Sequence, residues 1–64
     1  MKSKDIIRKL KKDGWILHNT VGSHQQFKHM VKEGKVTVPD PKKDLPIGTL
    51  KSIFRQAGWE WRKK

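Results

Sequence analysis

The sequence predicts an α+β fold of order α-β-β-β-α, with a three-stranded antiparallel sheet and both helices on one face. Three observations predict it. Apolar residues recur at helical spacing near both ends, three short segments between them are rich in β-branched and aromatic residues, and brief glycine-centred breaks separate those segments. Short connections favour an antiparallel meander, and two helices with one apolar stripe each belong on the same side of the sheet.

The first helix is expected over about Ser3 to Asp13. Ile6, Ile7 and Leu10 form its apolar stripe, with Lys4, Arg8, Lys11 and Lys12 elsewhere on the wheel. Ser3 suits the capping position, its hydroxyl accepting from a free amide of the first turn, and Asp5 suits the positive end of the dipole. Gly14 is placed to end the helix in a left-handed conformation.

"WILHNT" (Trp15 to Thr20) reads as the first strand, and "VGS" as a turn around Gly22. "HQQFKHM" (His24 to Met30) is the second strand, followed by a turn at Gly34. "KVTVP" (Lys35 to Pro39) alternates Val36 and Val38 against Lys35 and Thr37, the pattern of a half-buried strand. Pro39 and Pro41 end it, because proline donates nothing to the ladder.

"DPKKDLPIG" is a loop, and the second helix is expected over about Pro46 to Ala57 on the stripe Leu50, Ile53, Phe54 and Ala57. Pro46 suits its first turn, Asp44 or Thr49 its cap, and Gly58 its stop. The tail "WEWRKK" sets two tryptophans among cations. The expected core is Ile6, Ile7, Leu10, Phe27, Val36, Val38, Leu50, Ile53 and Phe54, with Trp15 or Leu17. One domain is expected over residues 1–64, without repeat or linker.

Composition narrows the function. No cysteine is present, so neither a disulfide nor a thiolate zinc site can staple the fold. The longest purely apolar run, Trp15 to Leu17, is far short of a membrane span, and nothing resembles a signal peptide. The default expectation is a soluble, cytoplasmic protein. Sixteen Lys and Arg against six Asp and Glu give a formal net charge of +10. Such a field attracts polyanions, because neutralising phosphates releases condensed counterions. It serves an acidic protein partner and solubility equally, so charge alone does not choose among RNA, DNA and protein.

Side chains alternate along a strand. If Phe27 faces the core, so do Gln25 and His29, while His24, Gln26 and Lys28 share the opposite, solvent face. Gly22 lets the backbone turn or approach a ligand closely, and the amides of the Gly22-Ser23 step suit a phosphate. An exposed histidine beside a lysine suits RNA chemistry. RNA carries its own nucleophile, the 2′-hydroxyl, so its cleavage needs proton transfer and charge neutralisation but no metal. Histidine serves as acid or base near neutral pH, and Lys28 is a candidate to steady the phosphorane charge. A lone strand histidine is also commonly just a surface residue, and His18 and His29 are left in that class. The carboxylates show no paired acid spacing, and no Gly-rich phosphate loop or metal-ligand cluster is present. Lys42 and Lys43 read as a solvated loop that could touch RNA.

"DGW" (Asp13 to Trp15), "GSHQQFKH" (Gly22 to His29), "VTVPDP" (Val36 to Pro41) and "LPIGTLKSIFRQAG" (Leu45 to Gly58) resemble, in order and spacing, the HicA toxins of bacterial toxin–antitoxin modules. The resemblance covers nearly the whole chain. It implies a double-stranded-RNA-binding-domain-like fold and a ribosome-independent mRNA interferase that arrests translation. It places the catalytic histidine at His24, with Gly22 and Ser23 matching the step before it. It further implies mRNA as substrate, a HicB-type antitoxin as partner, and contact with operator DNA only through the antitoxin complex. No cofactor, metal or membrane is implied. Relatives commonly carry a second histidine directly after the first, and here that place is Gln25. This leaves open whether water, Lys28 or the leaving group's own protonation supplies the second proton.

Two other readings stand beside this one. A non-catalytic RNA-binding module would use the same fold and charge, reading RNA by shape. A protein-interaction piece would use Trp59 and Trp61 as anchors on an acidic antitoxin, unless one of them packs on helix 1.

Overall fold

The structure, a computed structural model, describes residues 1–61. The predicted order holds: α1 spans Ser3–Lys12, β1 Trp15–Val21, β2 His24–His29, β3 Lys35–Pro39 and α2 Ile47–Ala57. The strands form one antiparallel sheet in the order β1-β2-β3. Phe27 pairs with Leu17 on one side and Val36 on the other, so one face of the sheet is set by these three residues.

That face carries the core. Phe27, Val36, Val38 and Trp15 are buried together with Ile6 and Leu10 of α1 and Ile53 and Ala57 of α2. Both helices therefore cover the same side of the sheet, as their single apolar stripes require. Trp15, not Leu17, is the buried member of β1: Leu17 is 45% exposed at the sheet margin. Ile7, Leu50 and Phe54 pack against the cluster from its rim. Leu45 completes the core from the loop before α2, a role its polar neighbours in sequence conceal.

The expected helix caps are corrected. Ser3 is the first helical residue, not a cap, and its hydroxyl donates to Asp40 Oδ1 at 2.6 Å while accepting the Lys42 amide at 3.0 Å. Neither Asp44 nor Thr49 caps α2, whose capping position is Pro46 with no side-chain hydrogen bond. Asp44 instead pairs with the N-terminal amine at 3.1 Å. In both cases a tertiary partner outcompetes the local amide, so the 40–45 loop is strapped to the start of α1.

A second strap lies at the other end of the sheet. Asp13 Oδ2 accepts from Lys32 Nζ at 2.7 Å, from the Trp59 indole at 3.0 Å and from the Trp15 indole at 3.1 Å. Lys32 Nζ also donates to the Ala57 carbonyl at 3.0 Å, at the negative end of the α2 dipole. Lys32 and the two indoles hold the Asp13 carboxyl down at about 2, against an ordinary 3.8. This carboxylate joins the end of α1, the start of β1, the β2–β3 connection and the segment after α2.

The edges of the sheet differ. The Thr37 amide on β3 donates to Gln56 Oε1 of α2 at 2.9 Å, which closes part of that edge. β1 is the other edge, and Ile16, Leu17 and Val21 are exposed along it. The cations Arg62, Lys63 and Lys64 of the tail lie outside the described residues.

Candidate active site

The face of the sheet away from the helices is built by register. Three rows cross it: Ile16, Lys28 and Lys35; then Asn19, Gln26 and Thr37; then Val21, His24 and Pro39. Between Leu17 and Asn19 the register shifts by one residue at His18. That bulge resets the alternation, so Asn19 and Val21 share the face of His24.

His24 opens β2 directly after the two-residue turn Gly22-Ser23, and all three residues are exposed. Gly22 has φ 59, and among the described residues no non-glycine has positive φ, so only the first turn position is left-handed, as in type II′ hairpins. A Cβ at Gly22 would meet nothing within 4 Å. Backbone conformation, not crowding, calls for glycine here, and the space above the turn is open to a ligand. The turn is tied from below, because the Asp40 amide donates to the Ser23 carbonyl at 2.7 Å. This places His24 at a fixed corner of the sheet.

Lys28 is exposed on the same face, as alternation requires. It stands four residues along the strand, about 13 Å from His24 at about 3.3 Å per residue. At that separation it fits a neighbouring phosphate better than the one His24 touches. Gln25 lies on the other face, its Nε2 donating to Asp40 Oδ2 at 3.0 Å. The residue standing where relatives carry a second histidine thus points away from the open face.

The other histidines divide. His18 is exposed at the bulge. His29 is half-buried and structural: its Nδ1 accepts the amides of Val31 at 3.0 Å and Lys32 at 3.1 Å. The ring proton therefore sits on Nε2 and is donated to the Asp13 carbonyl at 2.8 Å. Its ring meets Trp15 edge-on at 5.1 Å. Gly14, with φ 98, passes so close that a Cβ there would lie 2.8 Å from His29 Nε2. The "DGW" triplet is thereby explained: Asp13 gathers donors, Gly14 admits the ring, and Trp15 fills the core.

Sequence reasoning missed Asp40 and Asp13 as positioning groups. Asp40 gave one signal, a carboxylate between two prolines at the end of a strand. Among the described residues, no three His, Asp or Glu side chains converge in a way that could hold a metal ion. Among them also, no helix is long and apolar enough to cross a membrane.

A family model described as HicA toxin of bacterial toxin-antitoxin matches residues 3–59. The chain belongs to the HicA toxin family. The match runs from the first residue of α1 to Trp59, so every element of the fold lies within it. The α-β-β-β-α order on an open antiparallel sheet agrees with the double-stranded-RNA-binding-domain-like fold expected of HicA toxins. As a HicA-family toxin the chain is one half of a toxin–antitoxin pair, with an antitoxin as its partner. No curated protein sequence matches it.

Proposed function

We propose that this HicA-family toxin is a ribosome-independent endoribonuclease, an mRNA interferase with His24 as its acid–base catalyst. The observation that carries the reading is the position of His24: exposed, fixed at the corner of the open face, and directly after the Gly22-Ser23 turn. His24 removes the proton from a 2′-hydroxyl, the 2′-oxygen attacks the adjacent phosphorus, and the 5′-oxygen leaves with a proton. The nucleophile belongs to the substrate, so no metal is needed to generate one. The products are a 2′,3′-cyclic phosphate and a 5′-hydroxyl.

The amides of Gly22 and Ser23 bind the reacting phosphate. Lys28, further along the strand, binds a neighbouring one. Val21, Gln26 and Pro39 surround His24 on its face, and none of them can transfer a proton near neutral pH. The imidazolium formed in the first step, or water at this exposed corner, returns the proton to the leaving oxygen. Activity arrests translation in the cytoplasm until a HicB-type antitoxin covers the open face, and operator DNA is met only through that complex.

The test is His24→Ala expressed without antitoxin. Growth arrest should disappear and RNA cleavage in vitro should fall by about 10²–10⁴-fold, the usual contribution of one acid–base group. Cleavage at the parent rate would remove His24 from the mechanism. If the parent protein binds RNA with a steep salt dependence yet never cuts it, the non-catalytic RNA-binding reading replaces this one.

A further inference from the structure

We infer that the exposed basic face of α1 and the loop after β3 form a second binding track for the RNA backbone, continuing from the His24 corner around the end of the sheet. The inference rests on the ribonuclease reading above and extends it to where the rest of the strand lies.

Two adjoining concavities make the track. The larger, about 650 Å³, is walled by Lys2, Lys4, Lys42 and Lys43. The smaller, about 460 Å³, is walled by Lys4, Arg8 and Lys11 over a floor that includes the apolar Ile7 and Leu17. Lys4 and Asp40 belong to both, so the two are one groove with a waist. Lys4, Arg8 and Lys11 are spaced four and three residues apart, which sets them in a single stripe on α1. From Lys4 to Lys11 the helix rises about 10 Å at about 1.5 Å per residue. The cations are therefore strung along a line, the arrangement suited to an extended chain that carries a charge on every unit.

The one carboxylate in the groove is already engaged. Asp40 accepts from Ser3 Oγ at 2.6 Å and from Gln25 Nε2 at 3.0 Å. The six cations are not engaged: among the described residues the ion pairs involve only Lys32 and the N-terminal amine. An array of unpaired like charges costs self-repulsion that a polyanion relieves. The track also reaches the site. Gln25, next to His24, lines the smaller concavity, and the Asp40 amide is bonded to the Ser23 carbonyl at 2.7 Å. Because His24 and Gln25 point to opposite faces, a strand cleaved at His24 enters the groove by passing around the end of the sheet at the Gly22-Ser23 hairpin.

Binding is tested on the His24→Ala background, with a short labelled single-stranded RNA titrated across a range of salt. Lys4→Gln, Arg8→Gln and Lys11→Gln together should make the slope of log K against log salt shallower by about 2, at about 0.7 per phosphate contact, and weaken affinity at least about tenfold. Lys42→Gln with Lys43→Gln should remove about 1.4 of slope. The charge-matched control, Lys9→Gln with Lys12→Gln and Lys51→Gln, should keep the parent slope. With His24 restored, the α1 variant should raise KM and retain kcat.

Equal slopes in the α1 variant and the control would overturn the track, leaving only a diffuse field. An α1 variant that binds RNA like its parent but no longer binds purified HicB-type antitoxin would overturn it too, assigning the groove to an acidic protein. A parent protein that binds but does not cut RNA would end the catalytic reading. The slopes measured on the His24→Ala background would still decide the track.

Discussion

Gln25 Nε2 donates to Asp40 Oδ2 at 3.0 Å, which fastens the residue beside His24 to the face of the sheet opposite His24. Adjacent residues on a strand point in opposite directions, so a side chain at this position has no direct path to a phosphate held by its neighbour. In this chain Gln25 is a brace between β2 and the loop after β3. Gln25→Ala should lower stability by about 1.5 kcal/mol, the lower end for a hydrogen bond to a charged group, because the site is only half-buried. Denaturant midpoints measure this. Cleavage at the parent rate in the folded variant is the expected companion result, and a loss as large as that of His24→Ala would place Gln25 in the chemistry.

If His24 both takes and returns the proton, one titrating side chain governs the chemical step. The pH profile of kcat should then show a single ascending limb. Two essential groups would instead produce a bell. Single-turnover cleavage of a short RNA across the range in which the protein stays folded decides between them. A bell-shaped profile would require a second proton-transfer residue, and the neighbours Val21, Gln26 and Pro39 supply none.

The Asp13 carboxylate predicts how stability responds to acid. Its folded value of about 2 lies below the ordinary 3.8, first because Lys32 and then because the Trp59 indole donates to it. A group with a depressed folded value contributes stability above its unfolded value and loses that contribution as pH falls through the folded one. Asp13→Asn should therefore be less stable than the parent at pH 6, with the gap closing between about pH 4 and pH 2. Urea midpoints at a series of pH values measure it. A gap independent of pH would mean that the charge of Asp13 contributes nothing beyond its hydrogen bonds.

The two tail tryptophans should separate by stability. Trp59 donates its indole to Asp13 at 3.0 Å, meets Phe54 edge-on at 5.2 Å and has Lys9 Nζ 5.1 Å from its ring centroid. Trp61 also meets Phe54, at 5.0 Å, but is more exposed, with Lys51 Nζ 5.8 Å from its ring centroid. Trp59→Ala should cost about 2 kcal/mol, less than the 3–5 of a fully buried ring, and Trp61→Ala under about 1. Thermal unfolding of the two single variants gives the ranking. Equal costs would mean that Trp61, too, is part of the core.

Much of this fold was legible because its signals are local. The stripe Leu50, Ile53, Phe54 and Ala57 specifies a helix within three turns, and Val36 and Val38 specify a face within three residues. Alternation around Phe27 put His24 and Lys28 on the open side for the same reason. What the sequence hid is held by distant partners: Ser3 bonds Asp40 across 37 positions, and Trp59 bonds Asp13 across 46. A serine before an apolar stripe looks like a cap until a carboxylate from elsewhere competes for its hydroxyl. The bulge at His18 was equally hidden, since one extra strand residue has no compositional mark.

The close approach of Gly14 to His29 yields the sharpest structural prediction. At φ 98 any side chain at position 14 strains the backbone, and a Cβ there would lie 2.8 Å from His29 Nε2, inside contact distance. Gly14→Ala should cost about 1–3 kcal/mol from the backbone alone, with a further loss from pushing the ring off the Asp13 carbonyl. His29→Ala removes the ring, so in the double variant the steric part should vanish. The combined loss should then fall short of the sum of the single losses by 0.5 kcal/mol or more, the range found for residues in contact. Denaturant unfolding of the two single variants and the double closes the cycle. Additivity within about 0.3–0.5 kcal/mol would show that glycine is needed for its conformation only, and that the ring of His29 has room to spare.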